Sequence, residues 1–215
     1  MISYLLSNVD WNVGFDDILA GYLQKDILES NKIAYIPTTY DNKGKTERYC
    51  KSYSLAFQRI GKIFNESVVL DIEMSSSEVR EHIMNASVVF LMGGDTLQQF
   101  EYLKSHDLLG KQSLFNCVVL GISAGAMNLC SNALLTSEHP TEKVYIYKGL
   151  GLVDITVEVH FENIKKQIDL LKESSKHYTD IYCISDNSSI RVEQGRLTFI
   201  GEGIYLYKNN KITRC

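Results

Sequence analysis

Gly121-Ile122-Ser123-Ala124-Gly125 follows the pattern Gly-x-Ser-x-Gly. In a sharp strand-to-helix turn, that pattern presents the serine hydroxyl as a nucleophile. The glycines relieve crowding, because side chains two positions either side of the serine would collide across the turn. The N-terminus of the following helix then offers backbone N–H groups to a developing oxyanion. The flanking residues fit this context. Cys117-Val118-Val119-Leu120 reads as a buried strand, and Ala126-Met127-Asn128-Leu129 continues as a helix. A small-residue turn of an ordinary α/β fold is the plainer reading, and the strand and helix on either side favour chemistry over it.

Gly93-Gly94-Asp95-Thr96 is a second turn after a buried strand, Val88–Met92. Two glycines let the backbone approach a substrate and aim an N–H at a carbonyl oxygen. Gly93, Asp95 and Thr96 are accordingly expected to bind substrate. The competing reading is a glycine turn capped by Asp95 or Thr96 at the next helix. A dinucleotide site is not indicated, since Gly-x-Gly-x-x-Gly is missing.

A serine nucleophile needs a base, and histidine is the usual one near neutral pH. The chain offers His82, His106, His139, His160 and His177. His82, His106 and His177 fall on polar helix faces or ends and are expected to be solvated. His139 falls in a polar loop. His160 ends the strand-like run Ile155–Val159, on the same side as Thr156 and Glu158, where open sheets collect ligands. The orienting carboxylate has two candidates. Asp186 follows the run Ile181–Ser185, and Glu138 sits beside His139. Asp186 is preferred, although Asp186-Asn187-Ser188-Ser189 is also a turn sequence.

These residues are carried by alternating strand-like and helix-like segments. Helical spacing recurs at Phe15, Ile18, Leu19, Tyr22, Leu23 and Ile27, and again at Tyr49, Tyr53, Phe57, Ile60 and Phe64. Continuous apolar runs at Ile33–Ile36, Val88–Met92 and Cys117–Leu120 read as doubly buried strands. The pattern predicts a mostly parallel sheet with helices on both faces. A short helix is expected near Leu108–Phe115. From Ile181 onward, one strand of the main sheet and one or two terminal antiparallel hairpins are expected.

Composition bounds the function. The 215 residues amount to a single α/β domain spanning 1–215, with 45% hydrophobic and 22% charged residues. The net charge of −4, from 22 basic and 26 acidic residues, argues against nucleic acid as a partner. No apolar stretch approaches the ~20 residues of a membrane helix. The start, Met1-Ile2-Ser3-Tyr4-Leu5, carries no signal-peptide pattern. The 5 cysteines include no Cys-x-x-Cys pair, which fits free thiols in a reducing compartment and no metal site. A cytoplasmic monomer or homodimer is the expectation.

Together, the strand ending in Gly93-Gly94-Asp95-Thr96, the segment Gly121–Ala126, and a Gly-Leu pair before a strand ending in His160-Phe161 resemble the peptidase E family. That family contains the aspartyl dipeptidases and, more distantly, the cyanophycinases. The resemblance runs through nearly the whole chain. It implies a fold similar to the class I glutamine amidotransferases, with a serine in place of their cysteine nucleophile, and no cofactor. It implies Ser123 as nucleophile, His160 as general base and acid, and the backbone N–H groups of Gly94 and Ala124 as oxyanion donors. Asp186 falls where family members carry Glu, and Glu138 falls at another carboxylate position proposed in the family. The longer basic stretch that follows His-Phe in peptidase E proper is missing, since Phe161-Glu162-Asn163-Ile164-Lys165-Lys166 runs directly into a helix.

The function expected is therefore a serine exopeptidase acting on short peptides, of dipeptidase type. Selectivity for an amino-terminal aspartate would need a cation facing the substrate carboxylate. Lys165, Lys166 and Arg191 are available, but nothing in the sequence aims them. Two alternatives compete: an amidotransferase-like hydrolase of another amide or ester, and a non-catalytic binding module on the same fold.

Overall fold

The computed structural model describes residues 1–136, 144–174 and 180–215. Its first half alternates β1 (Ile2–Leu6), α1 (Asp17–Asp26), β2 (Lys32–Ile36), α2 (Lys43–Arg59), β3 (Glu66–Val69), α3 (Ser76–Met84), β4 (Val88–Leu91) and α4 (Thr96–Ser105). A 3₁₀ turn at Gln112–Leu114 stands where a short helix was expected. There follow β5 (Val118–Ile122), α5 (Ala124–Leu129), β6 (Asn132–Leu135), β7 (Tyr145–Lys148), β8 (Val157–Val159) and α6 (Lys165–Ser174). The tail contributes β9 (Asp180–Ile184), β10 (Ser189–Glu193), β11 (Arg196–Ile200), β12 (Ile204–Lys208) and β13 (Lys211–Arg214).

Helix starts are set by local side chains. Asp16 caps α1 through the N–H groups of Ile18 and Leu19, both at 3.0 Å. Ser75 and Glu78 form a reciprocal capping box at α3.

The main sheet has the order β11-β10-β1-β5-β4-β2-β3. The strands β1, β5, β4, β2 and β3 run parallel, β10 pairs antiparallel with β1, and β11 pairs antiparallel with β10 at the sheet edge. Successive side chains on a strand face opposite sides. Tyr4 and Leu6 pack with Phe90, Leu120 and the α1 and α2 residues Leu23 and Phe57 on one face. Leu5 packs with Leu91, Val119, Val79, Leu103 and Met127 on the other, under α3, α4 and α5. The mostly parallel sheet read from the sequence, with helices on both faces and antiparallel strands toward the C-terminus, is the fold observed.

The tail is distributed differently from expectation. The run Asp180–Ile184 does not join the main sheet. It pairs parallel to β8 and antiparallel to β12 in a smaller sheet, β13-β12-β9-β8. The main sheet instead receives the two strands β10 and β11. Burial explains the exchange. Ile181 and Cys183 fill a separate small core with Phe161, Leu171 and Tyr207, which gives β9 an apolar face away from the main sheet. This rearrangement matters for the site. Parallel pairing aligns Val159 with Ile184, so His160 and Asp186 leave two neighbouring strand ends together.

One buried ion pair is Arg191 with Asp26. Arg191 donates to Asp26 at 2.5 and 3.1 Å, and Tyr4 donates to the same carboxylate at 2.6 Å. His106, expected on a solvated helix end, is 6% exposed and lies against the Tyr102 ring at 4.3 Å. His82 accepts from Lys32 Nζ at 2.7 Å. His139 and His177 lie outside the described residues.

Candidate active site

The central strand β5 runs straight into Ser123. Its register places Ile122 beside Leu6 and Gly121 beside Leu91. The turn is tight enough to exclude side chains on both glycines. A Cβ on Gly121 would lie 2.5 Å from the carbonyl of Gly125, and one on Gly125 would lie 2.2 Å from the carbonyl oxygen of Leu91. Ser123 itself takes φ 52° and ψ −113°, a conformation that costs an L-residue on the order of 1–3 kcal/mol. Its N–H donates to the Leu6 carbonyl at 2.9 Å, which anchors the turn to β1. Gly125→Ala is therefore expected to destabilise the fold by at least ~1–3 kcal/mol, the cost of forcing atoms into packed space. Chemical denaturation measures this, and a change within ~0.5 kcal/mol would contradict the packing.

His160 leaves β8 with φ 53°. Two hydrogen bonds hold it in place. Its own N–H donates to Ser7 Oγ at 2.7 Å, and Gln167 Nε2 donates to its carbonyl at 2.8 Å. The ring reaches Ser123, with Nε2 2.8 Å from Ser123 Oγ. Nδ1 lies 2.8 Å from Asp186 Oδ1. Behind it, Ser7 Oγ donates to Asp186 Oδ1 at 3.0 Å and Asn8 Nδ2 donates to Oδ2 at 3.2 Å. Ser123, His160 and Asp186 thus form an unbroken hydrogen-bonded line.

The direction of the protons follows from the carboxylate. Burial opposes ionisation of Asp186. Hydrogen bonds from His160, Ser7 and Asn8 outweigh it and hold the carboxyl below its ordinary pKa. An ionised carboxylate only accepts, so His160 Nδ1 carries the proton and Nε2 accepts from the Ser123 hydroxyl. This arrangement can take the serine proton during attack on a carbonyl carbon.

The family model for peptidase family S51 matches residues 4–200, which takes in every residue of that line. The chain belongs to peptidase family S51. The resemblance to peptidase E seen in the sequence is thereby borne out, and the protein is a serine peptidase of a family acting on short peptides. Solved structures share the fold. A peptidase from an acI-B1 Actinobacterium is 16% identical, with a TM-score of 0.71 over 100% of this chain and 93% of that one. A putative peptidase E protein from Listeria monocytogenes EGD-e is 20% identical, with a TM-score of 0.65 over 92% of this chain and 96% of that one. A search of curated proteins found no match.

In this S51 peptidase the second glycine turn lies beside the serine. A Cβ on Gly93 would lie 3.4 Å from Ser123 Cβ. Gly94 has φ 134°, and a Cβ there would fall 2.2 Å from Thr38 Oγ1. The Asp95 carboxylate accepts from the N–H groups of Leu97 and Gln98 at 3.0 and 2.9 Å, so it caps α4 while also lining the cleft. Thr96 is buried as the first residue of α4. Ala124 is buried as the first residue of α5, where N–H groups have no intrahelical acceptor. Glu138 lies outside the described residues. A buried amide pair steadies both turns. Gln99 Nε2 donates to the carbonyls of Ile36 and Met92 at 2.9 and 3.1 Å, and Asn128 Nδ2 donates to the Thr96 carbonyl at 3.1 Å and to Gln99 Oε1 at 3.0 Å.

Two cavities meet at Ser123, His160 and Gly94. The larger, about 910 Å³, is walled by Trp11, Tyr49 and Tyr53. Its charged lining is Asp10, Asp41, Asp95 and Asp186 against Lys45. The smaller, about 260 Å³, lies toward Met127, Glu158 and Leu170. Of the cations considered from the sequence, Lys166 lines this smaller cavity, whereas Arg191 is bonded to Asp26 and Glu193. Sequence reasoning did not single out Ser7 and Asn8. Their signal was position alone, immediately after the opening strand.

Proposed function

We propose that Ser123 is the nucleophile, His160 the general base and acid, and Asp186 the residue that orients His160. The hydrogen-bonded line from Ser123 to Asp186 carries this reading, with both heavy-atom separations at 2.8 Å. Ser123 Oγ attacks the scissile carbonyl carbon as Nε2 takes its proton. The N–H groups of Gly94 and Ala124 receive the oxyanion. The protonated imidazole then gives its proton to the leaving amine, and an acyl-enzyme remains. Water, deprotonated by the same nitrogen, releases the acid. No metal or organic cofactor enters these steps. Ser123 N–H is engaged by Leu6, which supports the next N–H in the chain as the donor.

The reaction class is release of an amino acid from short peptides by a single hydrolytic domain, working in the cytoplasm as a monomer or homodimer. Gly93, Asp95 and Thr96 shape the substrate side of the site. The carboxylate excess of the larger cavity disfavours an aspartate requirement, because an acidic side chain there meets Asp10, Asp41 and Asp95 with Lys45 as the counter-charge. A panel of dipeptides, side-chain amides and esters tests the class. Amino acid release from several dipeptides is expected, and turnover of only amides or esters would overturn it.

A further inference from the structure

One buried acid has no part in the reaction described. Glu158 is the middle residue of β8, two before His160 in the chain, and both residues line the smaller cavity. It is 7% exposed. Thr136 Oγ1 donates to its Oε1 at 2.7 Å, and among the described residues Oε2 has no hydrogen-bond partner. No cation pairs with it among the described residues. A carboxylate left in this condition is costly. Burial pushes its pKa up to about 7, with the Thr136 hydroxyl pulling the other way.

The surroundings specify what would relieve that cost. Glu158 lines the smaller cavity, which opens on Ser123 and His160. Met127, Leu135, Val159, Ile164 and Leu170 supply apolar walls. A scissile bond placed over Ser123 sends one flanking residue into this cavity. Apolar walls suit methylene groups, and a carboxylate with a vacant oxygen suits a cation at their end. The remaining groups facing Glu158 are His160 at the boundary with the larger cavity, the exposed Lys166, and the Cys183 thiol paired in register on β9, which burial keeps protonated.

We propose that Glu158 is a specificity residue that binds an alkylammonium group of the peptide substrate in the smaller cavity. The ammonium belongs to a lysine-type side chain or to the free amino terminus. The inference rests on the peptidase reading above for its orientation toward the cleaved bond.

The test compares kcat/KM for Lys-Ala against norleucine-Ala, Ala-Lys against Ala-norleucine, and each peptide against its acetylated form. It uses wild type, Glu158→Gln and Glu158→Asp. Wild type is expected to favour the cationic member of one pair by on the order of 10–100-fold. Glu158→Gln should erase that preference through KM while keeping kcat on neutral peptides, and Glu158→Asp should restore part of it. Loss of the lysine preference identifies the side chain, whereas loss of the free-over-acetylated preference identifies the amino terminus. Unchanged ratios in Glu158→Gln would overturn the proposal. Calorimetry with n-pentylammonium and n-pentanol reads the site without turnover. In wild type, ammonium binding should tighten as pH rises through about 7, as Glu158 ionises, while the alcohol does not respond. Equal affinity for the two probes across that range would also overturn it. Failure of the peptidase reading looks different, because it leaves ammonium binding intact with no dipeptide cleaved.

Discussion

Ser123→Ala is expected to lower kcat for dipeptide hydrolysis by on the order of 10⁶-fold, leaving the fold unchanged. The magnitude follows from removing the only atom that bonds to the substrate carbon in the proposed reaction, by analogy with serine peptidases in which one triad member was deleted. Stability should hold because the backbone pays nothing new. Alanine keeps the same Cβ, and the anchoring hydrogen bond from residue 123 to the Leu6 carbonyl is a main-chain bond. Among the described residues the hydroxyl has one side-chain hydrogen-bond partner, His160 Nε2, at a site open to solvent. Its loss should cost no more than ~0.5 kcal/mol. Steady-state kinetics beside a thermal melt make the check. Residual activity within ~100-fold of wild type, with normal melting, would assign the nucleophile elsewhere, and no hydrolysis by the wild type itself would favour a binding module.

Asp186→Asn is expected to lower kcat by on the order of 10⁴-fold. An amide nitrogen facing Nδ1 would donate, turning the imidazole to the tautomer in which Nε2 carries the proton. Ser123 would then have no acceptor. The effect should fall on kcat more than on KM, because Asp186 acts on the imidazole. Glu138→Gln is the matched comparison, expected to change kcat only a few-fold. A reversed pair of results would make Glu138 the orienting acid.

Asp186 also links stability to pH. Its folded pKa lies below the ordinary carboxylate value of 3.8. The stability it contributes is therefore fully present above that value and disappears as pH falls through the folded pKa. Wild type should exceed Asp186→Asn in stability near neutrality, and the difference should vanish in stronger acid. Urea denaturation at the two conditions measures it. A difference that grows in acid would contradict the hydrogen-bond geometry. Because His160 and Asp186 are both 48% exposed at the side chain, solvent screening keeps the stability effect modest beside the catalytic one.

Much of the fold was legible because its determinants are local. The apolar run Val118–Ile122 followed by small residues encodes a strand, a crowded turn and a helix within a dozen residues. Ser75 and Glu78 encode a helix start through two reciprocal hydrogen bonds. His160 was distinguishable from His82 and His106 by its place at a strand end. His106 shows the limit, since this polar helix end is buried and its carbonyl accepts from Arg80 of α3, 26 residues earlier in the chain.

Pairing of strands was not legible in the same way. Asp180–Ile184 has a strand pattern that fits either sheet, and only the apolar partners Phe161, Leu171 and Tyr207 decide between them. The consequences reach the site. Ser123 and His160 are 37 residues apart in the chain, His160 and Asp186 are 26 apart, and Ser7 and Asp186 are 179 apart. The smaller cavity, and the burial of Glu158 against it, follow from the same long-range packing.

By itself, then, the sequence determined the turn that presents Ser123, the class of fold around it, and the residue types available for a triad. Those features rest on burial periodicity and steric crowding between near neighbours, which a linear pattern records. The tertiary structure alone decided that Asp186 meets His160, that Ser7 and Asn8 hold it, and that no cation pairs with Glu158 among the described residues. Those depend on distances between strand ends far apart in the chain, and such distances are set by the choice of pairing partners and the shape of the core they bury.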